Sequence, residues 1–391
     1  MRLRDWQKSA MLAFASFVLV FGGAEILTRR WWDPGSYRPV IRADPVYGWA
    51  LDPGSSLHSV DTDRHLDYHI QVNALGMRDR ERTRAKPNRV HRVLFLGDSM
   101  VFGTGVEMGS RCGDILETRL GPGVEVLNAA VGGWGTDQEF LFLCREGFAL
   151  QPDVVVLALC LSNDVANNML THELFGTAPK PRFSLQGTEL TWTPPALPST
   201  PQARPLQWLK RSRLLHFAGR HARLLQARRR HRVPAAAVPY HADDLDADRS
   251  HWAVFKRQYS PRLESAFQVT EALITAAHDS CAARGVPLVL FAFPLKFEVE
   301  PEARAHELEY YGYDPTWFEL RAPYMRLQRL AAQLGVPFVH PVDTFITATA
   351  RRPLFFDLDG HPDAAGHAVA AATLEEPVRQ ALANATTQAQ R

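Results

Sequence analysis

From residue 91 onward, short and almost wholly apolar runs alternate with longer segments whose apolar residues recur at helical spacing. The runs are 92–97 (RVLFLG), 124–128 (VEVLN), 153–160 (DVVVLALC), 286–293 (VPLVLFAF) and 336–339 (VPFV). Strands apolar on both sides belong to parallel sheets covered on both faces. The helical spacing predicts helices near 112–121, 136–150, 264–284, 317–334 and 364–384. Together they predict an open α/β domain over 91–386, a parallel sheet with helices on both sides.

The alternation breaks once, between the third and fourth runs, which predicts an insertion at about 170–260. Residues 176–205 are proline-rich and read as an extended loop. Residues 206–232 form a strongly basic amphipathic stretch, followed by the acidic run HADDLDAD. That stretch is either a solvated helix face paired with nearby acids or a contact for anionic headgroups or an acidic polymer. Residues 31–90 are rich in Pro, Gly and Asp, with short alternating pieces such as LDYHIQVN, and read as a lead-in with turns and a small hairpin.

The first thirty residues follow a different pattern. Arg2, Arg4 and Lys8 precede an apolar run from Ala10 to Ala24, and Arg29 and Arg30 follow it. The run is near the shortest length that spans a bilayer. A retained signal anchor over 1–30 is the favoured reading. Cleavage after the small residues Gly22-Gly23-Ala24 is an alternative. A buried amphipathic helix is disfavoured, because the run is apolar all round. The basic amino terminus predicts a cytoplasmic end, which places the main domain outside the cytoplasm.

Composition adds limits. The 391 residues are 46% hydrophobic and 22% charged, which describes a globular chain with a full core. A net charge of +2 gives no electrostatic case for nucleic acid. Cys112, Cys144, Cys160 and Cys281 show no CxxC spacing, and no His or Cys cluster has ligand spacing, so neither metal nor cofactor is expected.

Four polar stretches carry the candidate chemistry. Gly97-Asp98-Ser99 follows the first strand, and NAAVGGWGTDQ follows the second. CLSNDVANN ends the third, and FFDLDGHPDAAGH lies ahead of the last helix. Ligands of open α/β sheets bind outside the carboxyl ends of the strands, where these stretches gather. Acyl transfer at a serine needs a base, a carboxylate to orient that base, and fixed donors for the oxyanion. Ser99, His361, an aspartate, the backbone N–H of Ser99 and Gly133, and the Asn163 amide supply that set.

In these four blocks the sequence resembles an SGNH (GDSL-type) hydrolase. The resemblance covers about 90–165 and 285–385, and the lead-in YGWALDPGS…VNALGMRDRE resembles a bacterial membrane-anchored subgroup. It implies a three-layer, flavodoxin-like sheet of five strands. It also implies Ser99 as nucleophile, His361 as base, and Ser99, Gly133 and Asn163 as the oxyanion hole. Two departures stand out. Leu161 and Ser162 stand where glycines are usual, and the residue three before His361 is Leu358. Asp359 and Asp357 compete for the acid, and Asp359 is preferred because residues two apart in extended chain share a side. His367 and His340 read as structural, and Asp98 as a loop-holding residue.

The expected activity is hydrolysis of a carboxylic ester or O-acetyl group on a lipid or acylated carbohydrate. One alternative is an O-acyltransferase modifying a cell-surface polysaccharide with the same triad. Another is a non-catalytic envelope protein that binds glycan.

Overall fold

In the computed structural model the described residues are 5–31, 40–61, 64–174, 178–197, 212, 214, 215, 217 and 251–389. Almost all of the basic stretch 206–232 and all of the acidic run 241–248 lie outside them. Chain contacts divide the protein into two compact units, one of residues 1–37 with 198–236 and one of residues 38–197 with 237–391.

The larger unit is built on five parallel strands: β5 (His91–Gly97), β6 (Val124–Ala130), β7 (Val154–Leu159), β10 (Leu288–Ala292) and β11 (Phe338–Val339). They lie in the order β6-β5-β7-β10-β11, the flavodoxin-like order. Every residue of β7 and β10 is buried, which is why those runs are apolar throughout. Right-handed crossovers put the helix after β5 on one face and the helices after β6, β7 and β10 on the other. Accordingly α3 (Cys112–Leu120) packs on the C-terminal helix α11 (Ala364–Ala389), and α4 (Thr136–Arg145) packs on α6 (Pro261–Ala282).

The region ahead of β5 folds as two antiparallel hairpins. One pairs β1 (Ile41–Asp44) with β2 (Gly48–Leu51), and the other pairs β3 (Ser56–Asp61) with β4 (Leu66–Gln71). Both belong to the same compact unit as the sheet. Trp49 Nε1 donates to Gly132 O at 3.0 Å, and Trp134 Nε1 returns a bond to Trp49 O at 3.0 Å. The fully buried Arg78 donates to the carbonyls of Phe102, Gly103, Val106 and His69. Four carbonyl partners offset much of the cost of burying that guanidinium, and burial lowers its pKa to about 9.

In the stretch read as an extended loop, Arg182–Gln186 (β8) pairs with Glu189–Thr193 (β9) as a hairpin. All four cysteines are free.

The smaller unit contains α1 (Asp5–Trp31), a 27-residue helix about 40 Å long at 1.5 Å per residue. Its span Trp6–Arg30, with mean hydropathy 2.0 over its most apolar window, is long and apolar enough to cross a membrane. Glu25 near its end accepts from Arg29 Nε at 2.7 Å, Ser212 Oγ at 2.7 Å and Leu214 N at 3.0 Å.

Candidate active site

Ser99 opens the four-residue helix α2 (Ser99–Phe102), directly beyond β5. Gly97 is required there, because a Cβ on it would lie 2.4 Å from Val101 Cγ2. Asp98 caps α2, accepting from Met100 N at 2.9 Å with one oxygen and from Asn163 Nδ2 at 2.6 Å with the other. Burial raises the Asp98 pKa, against the pull of these two bonds and of His361.

Asn163 lies in α5 (Leu161–Asn167), beyond β7. The Asp98 bond uses one of its two amide hydrogens and fixes which end of the amide faces Asp98. β5 and β7 are neighbours and their onward connections run to opposite sides, so Ser99 and Asn163 flank the crevice at the switch point. Gly133, in the turn after β6, has φ +79°, a left-handed conformation that favours glycine. Among the described residues neither Ser99 N nor Gly133 N donates a hydrogen bond.

His361 reaches the same place from the segment before α11. Its Nε2 is 2.8 Å from Ser99 Oγ, and its Nδ1 is hydrogen-bonded to Asp359 Oδ1. The His361 backbone N–H also donates to Asp359 Oδ1, at 2.8 Å. The loop that makes this close is pinned at its base. Phe355 bridges to Pro362, Phe356 N donates to His361 O at 3.1 Å, and Lys296 Nζ donates to the carbonyls of Phe356 and Asp357.

Of the two candidate aspartates, Asp359 is the one hydrogen-bonded to the His361 ring. Asp359 is buried against His361, while Asp357 is exposed. Burial raises the Asp359 pKa, but His361 and the more distant Arg64 outweigh it and hold the carboxyl at about 2. Arg64 Nη1 donates to Asp359 Oδ2 at 3.3 Å.

His367 is fully buried, its Nδ1 accepting from Cys112 N at 3.2 Å, and burial lowers its pKa to about 3. His340 lies beside Tyr324 and Phe338, with ring centroids 5.4 Å from each. Among the described residues no group of His, Cys, Asp and Glu is placed to hold a metal.

Arg64 and Lys296 were not legible as site residues. Arg64 lies beside the turn of a hairpin and Lys296 in a helix after β10, and neither sits in a local pattern. A third such residue is Glu173. A Cβ built on Gly133 would lie 3.0 Å from Glu173 Oε1.

No family model matches the chain, and no curated protein does. Among solved structures it is similar to a GDSL-like lipase from Bacteroides thetaiotaomicron, at 11% identity over 76% of this chain and 91% of that one, with TM-score 0.35. It is similar also to a catalytic mutant of an acetylxylan esterase from Geobacillus stearothermophilus, at 13% identity over 76% and 96%, with TM-score 0.36. A third is a member of the lipolytic G-D-S-L family from Veillonella parvula, at 12% identity over 73% and 97%, with TM-score 0.36.

Proposed function

We propose that this protein is a serine esterase that forms an acyl-enzyme at Ser99. The observation that carries the reading is the unbroken chain from Ser99 Oγ through His361 to Asp359, with 2.8 Å at its first link. Ser99 Oγ attacks the ester carbonyl carbon, and His361 Nε2 takes the hydroxyl proton. Asp359, ionised and buried, fixes the tautomer with Nδ1 protonated and stabilises the imidazolium. The N–H groups of Ser99 and Gly133 and the second amide hydrogen of Asn163 receive the oxyanion. Asp98 serves this step indirectly, by holding the Asn163 amide.

His361 then protonates the leaving alcohol, and water, activated by the same imidazole, releases the acid. The substrate is a carboxylic or O-acetyl ester on a lipid or carbohydrate. The length and apolarity of α1 support its assignment as a membrane anchor, and the basic residues Arg2, Arg4 and Lys8 ahead of it support a catalytic unit outside the cytoplasm.

Ser99→Ala is expected to abolish hydrolysis across a panel of acetyl to long-chain aryl esters, and labelling by a fluorophosphonate, with an unchanged melting curve. Hydrolysis by the folded variant at the wild-type rate would sink the mechanism.

A further inference from the structure

We propose that Glu173 is a specificity-determining residue of this site, accepting a hydrogen bond from a free hydroxyl of an acylated sugar. The inference rests on the esterase reading and names its substrate class.

Glu173 follows α5, and described residues on its two sides are tied to one another. His172 bridges to Pro179, Glu173 N donates to Ala178 O at 2.8 Å, and Lys180 N donates to Thr171 O at 3.0 Å. The fully buried Lys180 Nζ pairs with Asp137 and donates to Asn167 O at 3.1 Å. Gly48, in the first hairpin, lies so close that a Cβ would fall 2.0 Å from Pro179 O. Backbone ties at Thr171, His172 and Glu173 therefore present the carboxylate beside Gly133, one of the proposed oxyanion donors.

Among the described residues Glu173 has neither a side-chain hydrogen bond nor an ion pair, and it is half-buried. Lost hydration raises its pKa, and among the described residues no neighbouring cation opposes this. A partly desolvated carboxylate without a donor is costly, and beside a forming oxyanion it adds like-charge repulsion. An alkyl or aryl ester brings nothing to relieve either. A sugar acetate brings hydroxyls on the carbons next to the ester, within reach of a group beside the oxyanion site. An ammonium group offers the same donor chemistry, so it forms a separate arm of the test.

The test compares 4-nitrophenyl acetate, which has no hydrogen-bond donor, with a methyl glucoside carrying one acetyl group. Glu173→Ala is expected to lower the ratio of kcat/KM for the glucoside to that for the aryl ester by about tenfold or more, the range for a hydrogen bond to a charged group. Glu173→Gln keeps an acceptor oxygen and should recover part of the ratio. An unchanged ratio overturns the proposal, and so does a larger loss on an acetate ester bearing a primary ammonium. If the wild type hydrolyses no ester of the acetyl to long-chain panel, the esterase reading fails by itself. Binding of the glucoside to Ser99→Ala needs no turnover and then decides. Affinity lost on adding Glu173→Ala supports the proposal, and equal affinity overturns it.

Discussion

Asp357 and Asp359 differ by two positions and by everything that matters to an imidazole. Asp359 lies inside a loop closed by the Phe356–His361 backbone bond, so its carboxylate faces back onto the ring. Asp357 is engaged through its carbonyl, by Lys296, and its side chain is exposed. Asp359→Asn should lower kcat by a factor on the order of 10⁴, the scale for a triad acid that loses its charge. Asp357→Asn should leave kcat within about twofold, as for surface changes away from a site. Steady-state kinetics on one aryl ester separates the two, and equal losses would reverse the assignment. Because Asp359 is held at about 2, it is ionised across any ordinary assay pH. At this scale the serine and histidine were legible from residue type and from their place after strands. Arg64 and Lys296 were not, because a long side chain arriving from another element leaves no mark in local sequence.

Whole elements were legible in proportion to how much apolar surface they bury. Each predicted strand exists, because a strand covered on both faces must be apolar throughout. The helix Pro301–Tyr311 has no buried residue, so it carries no apolar period and was not anticipated. The hairpin at 182–193 was hidden by prolines on either side, although RFSLQ and ELTWT do alternate. Around Glu173 the sequence has no signal beyond Lys180, which is anchored on Asp137 and Asn167. Lys180 and Asp137 are both fully buried. Lys180→Met leaves the carboxylate without its cation, a change that costs about 3–5 kcal/mol in buried pairs. The midpoint of urea unfolding should fall accordingly, and adding Asp137→Asn should restore much of it. No recovery in the double variant would mean that the pair does not bear on the protein's stability.

For the whole molecule, a parallel sheet is legible in the apolar runs, while its flavodoxin-like arrangement of five strands is what the resemblance implies. How stability responds to pH is not legible there, since it depends on groups buried by distant parts of the chain. Glu298 accepts from Leu295 N and Tyr324 Oη, both at 2.9 Å, and burial pushes its carboxyl up to about 8. Unfolded, it titrates near 4.3. Its contribution is therefore complete below about pH 4.3 and is lost as pH rises toward 8. His367 works in the other direction. Its folded pKa of about 3 lies below the unfolded value of about 6.5, so stability is lost as pH falls through that interval. Glu298→Gln removes the first titration. Relative to wild type, the variant should gain stability with rising pH between 5 and 8, by at most about 1.4 kcal/mol per pH unit. Parallel pH curves from denaturant melts would refute this account of Glu298.

The division of the chain carries a practical consequence for preparing the protein. The smaller unit draws on two separate stretches, 1–37 and 198–236, and Glu25 of the first holds Ser212 and Leu214 of the second. Deleting the apolar helix alone leaves Ser212 Oγ and Leu214 N without their carboxylate. A version of the larger unit freed for solution work therefore calls for two cuts, removing the amino-terminal stretch and replacing the internal one with a linker.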